Sequence, residues 1–339
     1  MDYNQTNFES ARRRLQEKIL RLPHHSFSAL ALEVFRFQAQ YNPLYKEFLE
    51  LLGIEPSTIQ KVESIPHLPI ALFKQHRIQT GSWTPVKEFT SSGTTGDQTS
   101  RHLLRSIEWY HQIARLGFKY FYGPIQEYCV LGLLPAYLER QNSSLVFMVD
   151  DFIQQSKYEK SGFFLYNHQE LTAQIEACQE QNTPVLLIGV SFALWDLAEQ
   201  FQINGEQLII METGGMKGRR KEIRREELHA IYLDSFAVES IHSEYGMTEL
   251  VSQAYSKGEG LFFPSPSMQV SGRAITDPFE KSKLGKTAAL NIIDLGNLDS
   301  ISFIATDDLG KVYEDGSFEV LGRLDHSDLR GCNLMIDKY

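Results

Sequence analysis

Six consecutive small residues, Ser91, Ser92, Gly93, Thr94, Thr95 and Gly96, carry four hydroxyls and two glycines. Glycines let the backbone approach a ligand closely, and successive N–H groups with Ser and Thr hydroxyls can wrap an anion. The stretch therefore suits a bound phosphate. Val86 and Phe89 read as a short strand before it, and residues 106–122 read as a helix after it, so it is expected in a strand–turn–helix setting. It is not a P-loop, because Asp97 and not Lys follows the second glycine. A plain surface turn has the same composition.

Three further stretches carry chemistry-bearing types where strands are expected to end. In Glu212-Thr-Gly-Gly-Met-Lys-Gly-Arg-Arg220, Gly214 and Gly215 would let a flat ligand lie on the backbone, and Lys217 could reach a phosphate. An ordinary strand-to-helix turn explains the same residues. In His242-Ser-Glu-Tyr-Gly-Met-Thr-Glu249, the Tyr245 ring offers a surface for a base. Thr248 offers a hydroxyl to a phosphate, and Glu249 a hard oxygen ligand for Mg2+. A turn with a core tyrosine is the plain alternative. In Thr306-Asp-Asp-Leu-Gly310 and Gly322-Arg-Leu-Asp-His-Ser-Asp-Leu-Arg-Gly331, Asp308 could accept both hydroxyls of a ribose and Arg323 could donate to the same sugar. Two Gly-Asp turns between strands would look alike.

The elements that must position these residues alternate. Residues 8–20 and 28–52 read as helices, the second broken at Asn42-Pro43. Apolar runs at 127–134, 145–149, 163–166, 185–190 and 208–211 alternate with helical patterns at 168–181, 191–201 and 220–234. Such alternation predicts a wound α/β core. Beyond about residue 255, short runs at 261–263, 288–293, 301–305 and 318–321 predict a small β-rich subdomain. The expected division is an N-terminal helical segment at 1–80, an α/β nucleotide-binding core at 81–254 and the β-rich part at 255–339. The chain has 339 residues, a net charge of −10 and three scattered cysteines. The charge argues against a non-specific nucleic-acid surface, and the cysteines against a disulfide framework or zinc site. No leader pattern and no run long enough to span a bilayer is read, so the cytoplasm is expected.

The order Ser-Ser-Gly-Thr-Thr-Gly, Tyr-Gly-Met-Thr-Glu, Thr-Asp-Asp, Gly-Arg-x-Asp resembles the adenylate-forming superfamily of acyl and aryl ligases. Within it the chain looks most like the acyl-protein synthetases of bacterial luminescence (LuxE-like). That likeness rests on Leu68-Pro-Ile-Ala-Leu-Phe-Lys74, Leu134-Pro-Ala-Tyr-Leu-Glu-Arg140 with Ser143-Ser-Leu-Val146, Gly214-Gly-Met-Lys217 and Arg330-Gly-Cys332. The resemblance implies the large-domain fold of such enzymes, with ATP and Mg2+. Ser91 to Gly96 would hold the phosphates. Adenine would lie between Gly214-Gly215 and Tyr245-Gly246. Thr248 and Glu249 would face the α-phosphate and metal, and Asp308 and Arg323 would hold the ribose. It further implies that a carboxylic acid, a fatty acid in such synthetases, becomes an acyl-adenylate. Cys332 would then take the acyl group before it passes to an acyl-accepting protein such as a reductase or carrier. An inert apolar cysteine is the alternative at that position.

The sequence departs from the pattern in places. Only eight residues follow Gly331, so the separate C-terminal domain of larger relatives, with its catalytic Lys, is expected to be absent. Asp328 stands where the hinge usually has Lys, and no Lys follows Gly96. Lys217 and Arg101 are the candidate replacement cations on this chain, with a partner subunit as the alternative source. Phe192, Ala193, Trp195 and Met211 are the candidates for an acyl pocket, although apolar residues there are more often core. Two rival readings remain. One is a serine acyl-hydrolase or acyltransferase, with Ser191 in a Gly-x-Ser-x-Ala turn followed by Asp308 and His326. The other is a non-catalytic nucleotide- or acyl-binding subunit of a complex.

Overall fold

The computed structural model describes residues 3–22, 26–91, 99–135, 142–214 and 223–324. The parallel strands β4 (Cys129–Leu133), β5 (Gly162–Phe164), β6 (Val185–Val190), β7 (Leu208–Thr213) and β8 (His242–Tyr245) lie in the order β5-β4-β6-β7-β8. Every position of β4 and β6 is buried. Their continuous apolar sequences follow from this, because a parallel sheet with helices on both faces gives its strands no wet side. Helices Ser144–Gln155, His168–Gln179, Ser191–Ala198 and Arg225–Phe236 supply the crossovers.

Beyond β8 the pairing turns antiparallel through β9 (Ala254–Ser256) and β10 (Leu261–Pro264). It continues through β14 (Phe318–Arg323), β13 (Phe303–Val312), β12 (Ala288–Asp294) and β11 (Met268–Arg273). With β1 (Leu68–Pro69) added parallel to β13, these form one 12-stranded sheet. Residue 255, the expected start of a β-rich part, lies inside β9 and on this continuous path. No helix of the described residues is long and apolar enough to cross a membrane.

The N-terminal helices Tyr3–Leu20, Phe27–Tyr41 and Pro43–Leu51 fasten to the segment between β12 and β13. Asn42 ends the second helix and caps the third, accepting from Tyr45 N at 3.0 Å while donating to Ser300 O at 2.8 Å. Gln38 donates to Asn297 O and accepts from Ser302 N. Arg12 grips Asp299 with two bonds of 2.5 and 2.6 Å.

Two local expectations change. The apolar run 145–149 opens helix Ser144–Gln155 and is not a strand. Ser143 caps it by accepting from Val146 N, and Met148, Val149 and Phe152 bury one helical face. The hydroxyl-rich loop does not sit between a strand and a helix. It joins β2 (Lys87–Thr90) to β3 (Arg101–Leu104), an antiparallel hairpin, and helix Ile107–Tyr122 begins only after the Ser106 cap.

Candidate active site

Strand β8 carries Tyr245 to the sheet's junction with the antiparallel strands. Its hydroxyl donates to Asp308 Oδ2 at 2.7 Å. Asp308 lies opposite Arg323 in the β13–β14 register, and Arg323 Nε donates to Asp308 Oδ1 at 3.2 Å. Three residues singled out from distant parts of the sequence thus meet. The Asp308 side chain is only 8% exposed, whereas that of Arg323 is 78% exposed, so the guanidinium is a rim group with little desolvated strength. The Tyr245 ring packs against Phe262 and Phe318, at centroid distances of 5.9 and 5.3 Å. Burial, reinforced by the Asp308 charge, raises the phenol's pKa. Each Asp308 oxygen retains acceptor capacity beyond its present bond, which suits a diol.

The turn after β8 brings Glu249 beside the same group. Glu249 is buried, and burial raises its carboxyl pKa, with the Asp308 charge adding to the rise. The Ser100 side-chain hydrogen bond and Arg323 oppose that rise. Asn297 Nδ2 holds the Glu249 carbonyl at 2.7 Å.

The hairpin that carries the hydroxyl-rich loop is tied to this turn by His102. Its ring reaches Thr248 O from Nδ1 at 2.8 Å and Ser300 Oγ from Nε2 at 3.2 Å. A carbonyl only accepts, so Nδ1 holds the proton and the neutral ring accepts from Ser300 through Nε2. Burial lowers the His102 pKa to about 4, which keeps that tautomer uncharged. The loop's base is closed by Ser91, whose N donates to Ser100 O at 3.1 Å and whose Oγ accepts from Ser100 N at 2.9 Å. Arg101, the next residue, is exposed.

Strand β7 ends at Thr213 and Gly214. Thr213 pairs in register with Glu244 and donates to Glu244 Oε2 at 2.5 Å. Ser191 is buried, its Oγ 3.5 Å from Gly214 O and its carbonyl bonded by Tyr232. With Asp308 engaged by Tyr245 and Arg323, no hydrolase triad is assembled among the described residues. Phe192, Ala193 and Met211 are buried and Trp195 partly so. Met211 pairs with Ile188, so both face the side of the sheet away from Gly189, whose missing Cβ space is filled by Leu194 of helix Ser191–Ala198.

Ser92, Gly93, Thr94, Thr95, Gly96, Gly215, Lys217, His326, Asp328 and Cys332 lie outside the described residues. Sequence reasoning missed Ser100, His102, Thr213, Glu244 and Asn297. Only the placement of Ser100 and His102 just after the loop, and of Glu244 just before Tyr245, could have flagged them.

The same large-domain architecture occurs in solved ligases. An open-conformation 2-hydroxyisobutyryl-CoA ligase in complex with 2-HIB-AMP and CoA aligns at TM-score 0.65 and 11% identity, covering 90% of this chain and 71% of that one. ATP-bound MatB from Rhodopseudomonas palustris aligns at TM-score 0.53 and 14% identity, covering 73% and 49%. A long-chain-fatty-acid–CoA ligase from Archaeoglobus fulgidus aligns at TM-score 0.51 and 14% identity, covering 73% and 53%. The chain thus spans about half the length of the MatB relative, and identities this low show the fold alone. A comparison with curated proteins returns no match. The family model described as acyl-protein synthetase, LuxE, matches residues 24–339. The chain therefore belongs to the LuxE acyl-protein synthetase family.

Proposed function

We propose that the protein activates a carboxylic acid with ATP, forming an acyl-adenylate, and transfers the acyl group to a thiol. The observation that carries this reading is the convergence of Tyr245, Asp308, Arg323 and Glu249 at one sheet junction, beside a hairpin that His102 ties to the same turn. Asp308 accepts the ribose hydroxyls, with Tyr245 and Arg323 holding the carboxylate in place. The acid needs no general base, because a carboxylic acid is already ionised near neutral pH. Its oxygen attacks the α-phosphorus and pyrophosphate leaves. Both reactants are anions, so cationic donors must offset the charge.

Among the described residues, no group of three or more His, Cys, Asp or Glu gathers to cage a metal. Mg2+ bound mainly by phosphates and water needs only one or two carboxylates. Glu249 fits that need, since a buried carboxyl that holds its proton too readily is restored to the anion by a neighbouring cation. Bound there, Mg2+ would spread the negative charge that builds on the phosphates. In the second step the Cys332 thiolate forms a bond to the acyl carbon, the carbon–oxygen bond to AMP breaks, and the acyl group is ready for an accepting protein such as a reductase or carrier. A fatty acid is the family-based choice of acid.

Acid-dependent ATP–pyrophosphate exchange tests the reading, with fatty, hydroxylated and aryl acids in the panel. Exchange with at least one acid, lost in Glu249→Ala with the fold retained, is expected. Absence of exchange throughout a broad panel refutes activation.

A further inference from the structure

Side chains alternate across a strand, so β8 divides its residues between the two faces of the sheet. Tyr245 faces Asp308, Phe262 and Phe318, the side assigned above to the nucleotide. Glu244 faces the other way, paired in register with Thr213 on one side and Tyr255 on the other. Gly246 continues that face. A Cβ built on Gly246 would collide with Glu244 Oε1 and lie 3.6 Å from Gln253 Cγ. The carboxylate thus fills space that a side chain at 246 would take, beside the turn that carries Thr248 and Glu249.

The groups on this face are buried and incompletely paired. Glu244 is 8%, Gln253 4% and Tyr255 1% exposed. Glu244 Oε2 accepts from Thr213, and Oε1 turns toward the Gly246 backbone. Gln253 uses its amide nitrogen on Val251 O, leaving its Oε1 unpartnered. The Tyr255 hydroxyl, too, is unpartnered among the described residues. Buried polar atoms are rarely left unpaired, and a site that leaves several so is short of a ligand's complementary groups. Gln253 Oε1 only accepts, and Glu244 Oε1 does so as the anion, so the groups that complement them are donors. Burial lifts the Glu244 carboxyl pKa to about 7, so a donor that satisfies its anion would also relieve the cost of burying it.

An acid joined to the α-phosphorus beside Thr248 and Glu249 has its nucleotide on the Tyr245 face. Carbons that pass Gly246 from there meet the Glu244 face. Resting on the activation reading, we propose that the acid carries a hydrogen-bond donor, a hydroxyl or an amine, on the carbons next to its carboxyl, and that Glu244 receives it. Glu244 is then a specificity-determining residue, and an unsubstituted fatty acid is the poorer substrate, because it leaves the buried acceptors unpaired.

The test compares kcat/KM for pyrophosphate exchange with matched acids of one chain length: unsubstituted, 2-hydroxy, 3-hydroxy, 2-amino and 3-amino. The purified full chain and Glu244→Ala are compared. Wild type is expected to favour one donor-bearing acid by about tenfold or more, the range for a lost hydrogen bond to a charged acceptor. In Glu244→Ala that preference should fall to about one. Because the readout is a ratio within one protein, a general loss of activity does not imitate it. Thr213→Val, which removes the hydroxyl that steadies Glu244, should lower the same ratio and serves if Glu244→Ala does not fold. The hydroxy and amino arms say which donor is taken. Equal or better use of the unsubstituted acid by wild type overturns the inference while activation stands. A preference that survives Glu244→Ala overturns the role of Glu244. Absence of exchange with every acid overturns the activation reading and this inference together.

Discussion

His102 makes a measurable link between pH and the hairpin that carries the hydroxyl-rich loop. The perturbation is His102→Asn, which can still donate to Thr248 O from a position close to Nδ1 but does not titrate. The His102 side chain is buried and its pKa falls from 6.5 to about 4. A lowered folded-state pKa means that the unfolded chain binds the proton first. Above pH 6.5 both states are neutral, and the term vanishes. As pH falls below 6.5 the unfolded state gains the proton alone, and stability is lost until the folded ring protonates near pH 4. The linkage relation gives a loss of about 2 kcal/mol by pH 5, rising toward about 3 kcal/mol at lower pH. At pH 7.5 the variant should be less stable than wild type by roughly 1–3 kcal/mol, since it loses the Ser300 contact and the ring's edge packing on Phe73. The assay is urea denaturation of both proteins at pH 7.5 and 5.0. Burial also lowers His67 and His242 to about 4, but they titrate alike in both proteins and cancel in the difference. The gap between wild type and variant should therefore shrink by about 2 kcal/mol on going to pH 5. A gap that stays constant within roughly 0.5 kcal/mol, the usual limit of additivity, would show that His102 is not the buried neutral latch described here.

Asp308→Ala should raise the KM for ATP by about ten- to a hundredfold, the loss of charge-assisted bonds to a sugar, while kcat changes little. Initial rates of pyrophosphate exchange against ATP concentration check it, and an unchanged KM would remove Asp308 from the nucleotide site. Cys332→Ser should keep acid-dependent exchange but lose the hydroxylamine-sensitive protein adduct formed from radiolabelled acid and ATP. Survival of that adduct would place the nucleophile elsewhere. Arg12→Ala should destabilise the fold by about 3 kcal/mol in urea, because Asp299 would be left buried without its bidentate partner and with only Arg105, 3.8 Å away, as a cation. A loss under about 1 kcal/mol would mean that the pair is solvated and worth no more than a surface bridge.

The meeting of Tyr245, Asp308 and Arg323 was legible in the sequence because each sits in a short motif, Tyr245 and Arg323 at strand ends and Asp308, against expectation, in the middle of β13. The sheet junction was not, since register decides which strands meet and a sequence pattern carries no register. The run Leu145–Val149 looks like a strand because a short apolar stretch does not separate strand from buried helix. What settles it is Ser143, a helix cap visible in the sequence, together with the burial of Phe152 beyond the run. The hairpin was hidden for another reason. Arg101–Leu104 is only four residues long and is defined by its pairing to Lys87–Thr90 across the loop. That pairing puts His102 where it ties the hairpin to Thr248.

The alternation along β8 also explains why Glu244 escaped notice. A carboxylate one residue before Tyr245 reads as a solvated strand residue unless both neighbouring strands are known to cover it. Thr213 and Tyr255 do so by register, and Gly246 leaves the space into which the carboxylate turns. The strand therefore has two chemical faces. One presents a phenol to the Asp308 carboxylate, and the other presents a carboxylate of its own. Under the proposed reaction, the nucleotide and acid ends of the adenylate are sorted by the two-residue period of one short strand. A glycine at the crossing point suits that division, because any side chain there would displace Glu244 from the face where its Oε1 is held. On the proposed reading the identity of the acid follows from backbone register, with Met211 on the Glu244 face and Leu194 of helix Ser191–Ala198 on the opposite one.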